Sequence, residues 1–201
     1  MNLPGKNKLI NNIIFGGTFD PIHNGHIEII KKIKMLFNPK IIYVIPSGNP
    51  YMKPKPPVAS PIERLQMCKI AFKDFENVKV IDYEIHRKDP SYTYDTIEYL
   101  SSININIDSL ILGQDSYLEI NKWKNGVFLK NKYNFIVIKR NISASLPINP
   151  RNCFYIEKIS TLSSSLIREK IILNKSINED TPIEITKYIE DNNLYKNGQN
   201  N

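Results

Sequence analysis

An eleven-residue segment near the amino terminus, residues 16–26, constrains the fold more than any other feature of this chain. Its sequence is Gly-Gly-Thr-Phe-Asp-Pro-Ile-His-Asn-Gly-His. It follows a largely apolar run over residues 9–15, which predicts a buried strand, and it precedes residues 27–37, whose apolar spacing predicts a helix with a wide core face. The segment therefore connects a strand to a helix. In an α/β sheet, ligands bind at such connections, beside the carboxyl ends of the strands.

The residue types in this connection favour a bound phosphate. Gly16 and Gly17 let the backbone approach a ligand without a Cβ in the way, and the free N–H groups at the start of the following helix attract an anion. His23 and His26 are three residues apart, so both imidazoles face the same side if they occupy the first helical turn. A nucleoside triphosphate fits this combination well.

Simpler interpretations of the same residues exist. Two glycines after a strand most often form only a tight turn. A His-x-x-His pair could bind zinc, but a structural zinc site needs about four ligands. The remaining histidine and the two cysteines, His86, Cys68 and Cys153, show no metal-ligand spacing. We therefore predict no protein metal site, and we treat the eleven residues together as much more specific than either half.

The complete segment resembles the signature of the nucleotidyltransferase superfamily with the His-x-Gly-His motif, and within it most closely the bacterial-type nicotinate-nucleotide adenylyltransferases. The resemblance implies a Rossmann-like nucleotidyltransferase fold. It also implies transfer of the adenylyl group of ATP to nicotinate mononucleotide, which gives deamido-NAD and pyrophosphate in NAD biosynthesis. The residues it assigns to ATP in this segment are Gly16, Gly17, Thr18 and Phe19, with His23 and His26 as catalytic residues. Phosphopantetheine adenylyltransferases share this first motif, so later segments must separate the two.

Composition indicates a globular chain that forms a single domain over residues 1–201, with 41% hydrophobic and 23% charged residues. The net charge of +7 suits nucleic acid or a small polyanion such as ATP. Because the basic residues are scattered, we favour ATP and predict no nucleic-acid partner. Two cysteines in apolar segments favour reduced buried thiols, and no apolar run is long enough to span a bilayer. We therefore predict a cytoplasmic protein with no membrane partner.

A segment rich in proline and lysine, residues 50–57, follows the second predicted strand at residues 40–45. Its prolines exclude a helix interior, so the segment is either a solvated loop or a mobile basic arm beside a phosphate site. In the family that the chain resembles, a proline-rich loop ends in a lysine that meets the mononucleotide phosphate. Lys53 is the matching position and is assigned there as catalytic, whereas Met52 replaces a histidine that is common in the family.

The middle of the chain separates the two enzyme families. Residues 82–96 alone predict a polar loop and then a helix through Leu100. Their pattern, Glu followed by Arg and then Pro-Ser-Tyr-Thr-x-Asp-Thr, resembles nicotinate-nucleotide adenylyltransferases and is absent from the phosphopantetheine enzymes. The resemblance implies that Tyr92 and Thr93 bind nicotinate mononucleotide. Trp123 is either a core aromatic or, as the resemblance implies, a flat surface on which the pyridine ring stacks.

Gly113 and Asp115 follow a short apolar strand at residues 109–112. An aspartate in this position is usually a cap or turn residue. If the strand lies beside the first one, however, Asp115 faces the crevice where the strand order reverses, and its carboxylate can accept hydrogen bonds from ribose hydroxyls. The resemblance implies that both residues bind ATP.

A second phosphate motif lies at residues 162–168, where three serines precede Arg168. Serine hydroxyls cap a helix N-terminus, so a plain capped helix is the simplest interpretation. An arginine one turn later can also direct its guanidinium at phosphate oxygens. The motif resembles the Ser-Ser-Thr-x-Ile-Arg motif of the family, which implies that Ser164, Ser165 and Ile167 bind ATP and that Arg168 is catalytic.

Further strands are predicted at residues 78–81, 133–138 and 153–156, and Ser60 and Thr181 each begin a predicted capping box. Roughly six strands alternating with helices imply an α/β fold with a doubly wound parallel sheet. Such a sheet brings both phosphate motifs to its carboxyl edge. Arg140 follows the strand at residues 133–138 and is a weaker candidate, because the family continues with Pro-Gly where this chain has Asn-Ile.

A phosphate monoester has a second pKa near 6, so the mononucleotide attacks as a dianion and needs no general base. Catalysis then depends on alignment and on stabilising the charge of the departing pyrophosphate, with Mg²⁺ accompanying ATP. Two alternatives stay open: the same chemistry on phosphopantetheine, and a nucleic-acid-binding relative without activity. The choice between nicotinate and nicotinamide mononucleotide and the oligomeric state, of which a homodimer is one case, also stay open.

Overall fold

The computed structural model describes residues 10–139, 152–157 and 160–196. The strands are β1 (Asn12–Gly17), β2 (Ile41–Pro46), β3 (Val78–Val80), β4 (Ser109–Gly113), β5 (Asn134–Ile138) and β6 (Cys153–Ile156). The helices are α1 (Asn24–Phe37), α2 (Pro61–Phe72), α3 (Thr93–Ser102), α4 (Gln114–Leu118), α5 (Gly126–Lys132), α6 (Ser164–Ile172) and α7 (Ile183–Asp191). Arg140 lies outside the described residues. Across the ranges given, no helix has both the length and the apolar character that a membrane crossing requires.

The six strands form one parallel sheet in the order β3-β2-β1-β4-β5-β6. The order reverses between β1 and β4, which confirms the predicted doubly wound α/β sheet. Phe15 of β1 pairs with Ile111 of β4. Gly17 and Gly113 each lie two residues further along, so both strands end level with each other. The crevice beside these two strand ends is where a doubly wound sheet binds its ligand.

Both faces of this sheet are covered by helices, which explains why its strands are apolar at almost every position. Ile13 and Phe15 belong to a core cluster with α1, α2, α6 and α7, whereas Ile14 belongs to a second cluster with α3, α4 and α5. β1 is displaced from the prediction, since it runs from Asn12 to Gly17 rather than over residues 9–15. Its last two residues pair with β2, so the strand continues into the glycine motif.

One of the two predicted capping boxes is confirmed. Ser60 Oγ accepts from the Glu63 N–H at 3.3 Å, and Glu63 accepts from the Ser60 N–H at 2.6 Å. The capping box predicted at Thr181 is wrong. α7 begins after Pro182 without a side-chain cap, and Thr181 Oγ1 lies 2.8 Å from Thr186 Oγ1. Because Thr181 is buried, its hydroxyl bonds inside the core and not to the helix N-terminus.

Candidate active site

The connection between β1 and α1 places its two glycines in different surroundings. Gly16 is exposed, and a Cβ built on it would meet no atom within 4 Å. Phe19 has a left-handed φ of 51°, and its ring lies so close to Gly17 that a Cβ there would be 2.8 Å from Phe19 Cζ. Gly17 is therefore needed for the close approach of the ring. Gly16 opens onto the space beside the strand end, where a ligand has room.

The structure places the two histidines of the motif against each other. Their ring centroids are 3.7 Å apart with an angle of 31° between the planes. The backbone N–H of His23 donates to His26 Nδ1 at 3.3 Å. Because Nδ1 accepts, neutral His26 carries its proton on Nε2 and can donate it to a ligand oxygen. His23 is buried and His26 half-buried, with the Phe19 ring edge-on to His26 at 5.1 Å.

The second phosphate motif packs directly on the first. Ser163 caps α6, since its Oγ accepts from the Leu166 N–H at 3.2 Å. Ser164 Oγ donates to the Pro21 carbonyl at 2.8 Å, across 143 residues of sequence. This contact brings the start of α6 to the connection after β1. The two phosphate motifs therefore share one edge of the sheet.

Arg168 projects from the first turns of α6 toward the same connection. Its Nη1 donates to the Asp20 carbonyl at 2.5 Å and lies 3.4 Å from Asp20 Oδ2. Its Nη2 donates to Ser165 Oγ at 3.3 Å. Ile167 is fully buried and its N–H donates to the Ser163 carbonyl at 3.1 Å within the helix. The side chain of Ile167 thus belongs to the core, and its contact with ATP stays a prediction.

Gly113 and Asp115, which are assigned to ATP, lie across the switch point from β1. Gly113 ends β4 and precedes α4, and Asp115 is exposed in the first turn of that helix. Gly17 and Gly113 end neighbouring strands. The position of Asp115 at this edge is the one that the sequence predicts, while its contact with ATP stays a prediction.

The proline-rich basic arm starts beside the segment assigned to nicotinate. The Ser91 N–H donates to the Asn49 carbonyl at 2.9 Å, and the Asn49 N–H donates to Ser91 Oγ at 3.1 Å. The rings of Tyr51 and Tyr92 lie 4.7 Å apart. Lys53 is exposed two residues further on. A basic side chain and the half-buried Tyr92 are therefore carried by two segments that are hydrogen-bonded to each other.

Trp123 lies next to Lys124, which contacts the segment assigned to nicotinate. Lys124 Nζ pairs with Asp95 at 2.7 Å and lies 5.1 Å from the centre of the Tyr92 ring. Trp123 itself is half-buried and packs against the core cluster beneath α3, α4 and α5. Thr93 begins α3 next to Tyr92. Core packing and a remaining accessible surface are both features of Trp123, so the two interpretations of this residue are compatible.

Arg64 is a structural centre of the site that the sequence does not reveal. It is 0% exposed, and its Nη1 donates to the carbonyls of Thr18 at 2.8 Å and Ser47 at 2.6 Å. Nη2 donates to the Gly48 carbonyl at 3.2 Å, and Nε to the Ala59 carbonyl at 3.2 Å. Burial lowers the pKa of the Arg64 guanidinium, and the nearby Asp20 carboxylate opposes that shift. This one side chain ties together the connections that follow β1 and β2.

Glu84 is a second buried charged residue at the edge of the site. Its carboxylate accepts from Thr96 Oγ1 at 2.5 Å, and burial raises the pKa of the Glu84 carboxyl. A Cβ on Gly48 would lie 1.9 Å from the Glu84 carbonyl oxygen. The connection after β2 therefore packs directly on the backbone that precedes the nicotinate segment.

Replacing Gly48 with alanine is expected to lower the free energy of unfolding by about 1–3 kcal/mol, the usual cost of overpacking. The added methyl group must displace backbone at Glu84, which cannot rotate away. Urea denaturation of the purified variant measures this change. Gly16→Ala is the matched control, because its methyl group enters open space. Equal stability of the two variants would contradict the tight packing at Gly48.

Comparison with known proteins identifies the class and then the family. Residues 14–170 match the model of the cytidylyltransferase-like family, which is the class that the doubly wound sheet and the two phosphate motifs define. A probable nicotinate-nucleotide adenylyltransferase of Clostridium acetobutylicum is 37% identical over 195 residues, covering 90% of this chain and 97% of that protein. One of Clostridium tetani is 36% identical, covering 91% and 98%. The chain belongs to the nicotinate-nucleotide adenylyltransferase family.

Solved structures agree with the fold. Plasmodium falciparum nicotinic acid mononucleotide adenylyltransferase complexed with NaAD has a TM-score of 0.76 at 24% identity, covering 92% of this chain and 97% of that one. The same enzyme complexed with APC has a TM-score of 0.74 at 23% identity, covering 92% and 96%. These likenesses confirm the Rossmann-like nucleotidyltransferase fold.

Proposed function

We propose that this protein transfers the adenylyl group of ATP to nicotinate mononucleotide, giving deamido-NAD and pyrophosphate. One structural observation carries the proposal within the family assignment. Ser164 and Arg168 of the second phosphate motif bond to Pro21 and Asp20 of the first, so both motifs lie at one strand edge. Relatives named nicotinate-nucleotide adenylyltransferases support the choice of substrates, as does the Plasmodium enzyme bound to NaAD.

In the proposed reaction, a phosphate oxygen of nicotinate mononucleotide attacks the α-phosphorus of ATP. A new P–O bond forms and the bond to the bridging oxygen of pyrophosphate breaks. The attacking phosphate is already mostly dianionic at neutral pH, because its second pKa is near 6. No proton transfer is therefore needed to start the reaction. The protein has to align the reactants and stabilise the charge that develops on pyrophosphate.

We assign the ATP phosphates to His26, His23, Thr18 and Arg168. His26 Nε2 is a hydrogen-bond donor, because its Nδ1 accepts from the His23 N–H. Arg168 adds a positive charge whose planar guanidinium can bond two phosphate oxygens. The exposed Gly16 permits close approach of the chain to the nucleotide, and Asp115 accepts from its ribose.

We assign the mononucleotide to the part of the crevice between the basic arm and the start of α3. Lys53 on the exposed arm binds its phosphate, and Tyr92, Thr93 and Trp123 contact the nicotinate ring. The hydrogen bonds between Asn49 and Ser91 support this assignment, because they hold the start of the arm beside Tyr92. A charged phosphate and a flat ring would then lie at opposite ends of one bound substrate.

Magnesium is proposed to enter as the complex with ATP. No group of three or more histidine, cysteine, aspartate or glutamate residues that could hold a metal is found in the described ranges. Mg²⁺ keeps several water ligands and commonly binds through substrate phosphates, so it can accompany ATP as part of that substrate.

The two cysteines are free and buried, which supports the proposed cytoplasmic location.

Pyrophosphate release by the purified protein tests the proposal. With ATP and Mg²⁺, we expect fast release with nicotinate mononucleotide, and nicotinamide mononucleotide run in parallel measures the preference. Activity with phosphopantetheine alone would overturn the proposed acceptor. If all three acceptors are inactive and the protein binds RNA with strong salt dependence, the protein is a nucleic-acid-binding relative instead.

A further inference from the structure

The carboxylate of Asp20 is a buried junction within the first phosphate motif. The residue is 4% exposed, and four donors surround its two oxygens. Oδ2 accepts from the Val58 N–H at 2.9 Å and lies 3.4 Å from Arg168 Nη1. Oδ1 accepts from the Ala59 N–H at 3.0 Å and from the Tyr195 hydroxyl at 2.9 Å. A buried carboxylate with this many donors is held in one orientation.

Three of these donors are two backbone N–H groups before α2 and a buried phenol after α7. The N–H groups of Val58 and Ala59 belong to consecutive backbone positions between the basic arm and α2. Tyr195 lies beyond α7 and is buried, and burial raises the pKa of its phenol, so the hydroxyl stays a donor at neutral pH. The orientation of the Asp20 carboxylate is therefore determined before any ligand binds.

The fourth donor, Arg168, is the one with a proposed substrate contact. Nη1 is directed at the carbonyl and carboxylate of Asp20, and Nη2 at Ser165. A guanidinium has five N–H donors. Within the described part of the chain these contacts use three of them, which leaves Nε–H and one N–H of Nη2 for phosphate oxygens. An arginine fixed in this way loses little conformational freedom when ATP binds.

We propose that Asp20 is a positioning residue that, itself held by Tyr195 and the N–H groups of Val58 and Ala59, orients Arg168 toward the phosphates of ATP. This inference rests on the proposed function, in which Arg168 binds ATP. In this proposal, a carboxylate of the first phosphate motif orients the arginine of the second phosphate motif. The proposal also gives Tyr195, near the carboxyl terminus, an indirect role in the reaction.

A double-mutant cycle tests this role through two measurements, the calorimetric Kd for ATP and kcat/KM for ATP in pyrophosphate release. Asp20→Asn keeps the side-chain size but removes the charge. We expect it to reduce kcat/KM about 10- to 100-fold, the effect of misplacing a group that aligns substrate, and to weaken ATP binding. In an Arg168→Ala background, the same change is expected to have almost no further effect on either measurement. Independent, multiplicative losses would overturn the proposal.

Two further variants separate positioning from general stability. Asp108→Asn is the matched control, because Asp108 Oδ2 accepts the consecutive N–H groups of Asn11 and Asn12 at 2.9 Å each, at the opposite end of β1. It is expected to lower stability and leave ATP affinity unchanged. Tyr195→Phe removes only one hydroxyl, and we expect a smaller loss in the same direction as Asp20→Asn. If Asp20→Asn does not fold, the cycle is measured with Tyr195→Phe, and additivity there overturns the proposal.

Failure of the proposed function would give a different result. A wild-type protein that releases no pyrophosphate with any acceptor overturns the function. The ATP binding cycle is still measured in that case, because it needs no second substrate. Wild-type activity together with additive effects of Asp20 and Arg168 overturns the positioning role alone.

Discussion

Replacing His26 with alanine is expected to lower kcat about 100- to 1,000-fold, the usual loss when one donor to a developing negative charge is removed. The free energy of unfolding is expected to fall by only about 0.5–2 kcal/mol, because the ring also accepts the His23 N–H in the capping box of α1. The reason is the direction of its two ring nitrogens. Nδ1 faces the backbone of His23 at 3.3 Å, and Nε2 is the donor on the opposite side of the ring. Steady-state kinetics and urea denaturation of the same preparation measure both quantities.

The His26 ring is held in place by the side chains of Phe19 and His23. The Phe19 ring lies 5.1 Å away in an edge-to-face arrangement, and the His23 ring lies against the His26 ring with the centroids 3.7 Å apart. A donor held in this way needs no reorganisation when charge builds up on the leaving pyrophosphate. Alanine removes the donor and leaves the Phe19 ring in the core, so the chemical step suffers more than the fold.

A second histidine provides the control for this substitution. The side chain of His86 is 63% exposed and pairs with Asp82 at 3.5 Å. His86→Ala is therefore expected to retain wild-type kcat and stability. If the activity of His26→Ala falls only in proportion to its loss of thermal stability, His26 is structural and its assignment to the phosphates is wrong.

The position of the crevice could be predicted from sequence because its signals are local. Glycines, a hydroxyl and two histidines directly follow an apolar strand, and strand ends are where parallel sheets bind ligands. The apolar runs of the other strands could be predicted for a related reason, since both faces of the sheet are buried. α4 and α5 were not predicted, because helices of 5 and 7 residues are too short to show apolar periodicity.

Buried polar residues were the part of the site that sequence could not reveal. Arg64 lies in a helix, where an arginine is usually solvated, and its acceptors are backbone carbonyls between 5 and 46 residues away. Backbone carbonyls exist at every position, so no residue type marks them as partners. At Thr181 the opposite happens, since the sequence predicts a contact that the structure does not contain. Its pattern matches a capping box, but tertiary packing directs its hydroxyl to Thr186.

The contact between Asp20 and Arg168 shows how the two motifs depend on each other. Each motif alone resembles a common local structure, a glycine turn or a serine-capped helix. The two motifs are brought together by hydrogen bonds across 143 and 148 residues of sequence. In the phosphopantetheine enzymes that the first motif also resembles, a lysine is usual at the position of Arg168, and it carries the same charge without the planar guanidinium.

Replacing Arg168 with alanine is expected to lower kcat/KM for ATP about 10- to 150-fold, equivalent to about 1.5–3 kcal/mol for a hydrogen bond to a charged group. Most of this loss should be a higher KM for ATP, because a guanidinium binds the phosphates before and during the reaction. Arg168→Lys keeps the charge but loses the planar fork, so it is expected to recover only part of the loss. Initial rates at varied ATP, with saturating nicotinate mononucleotide, separate KM from kcat.

The control for Arg168 lies two residues further along the same helix. Lys170 pairs with Asp180 at 2.6 Å, so Lys170→Ala removes a cation of α6 that has a protein carboxylate as its partner. We expect an unchanged KM for ATP in Lys170→Ala and a raised one in Arg168→Ala. Equal effects would mean that ATP responds only to the total charge of the helix. An unchanged KM and rate in Arg168→Ala would show that Arg168 does not bind the phosphates of ATP, because losing a guanidinium that contacts them must weaken ATP binding.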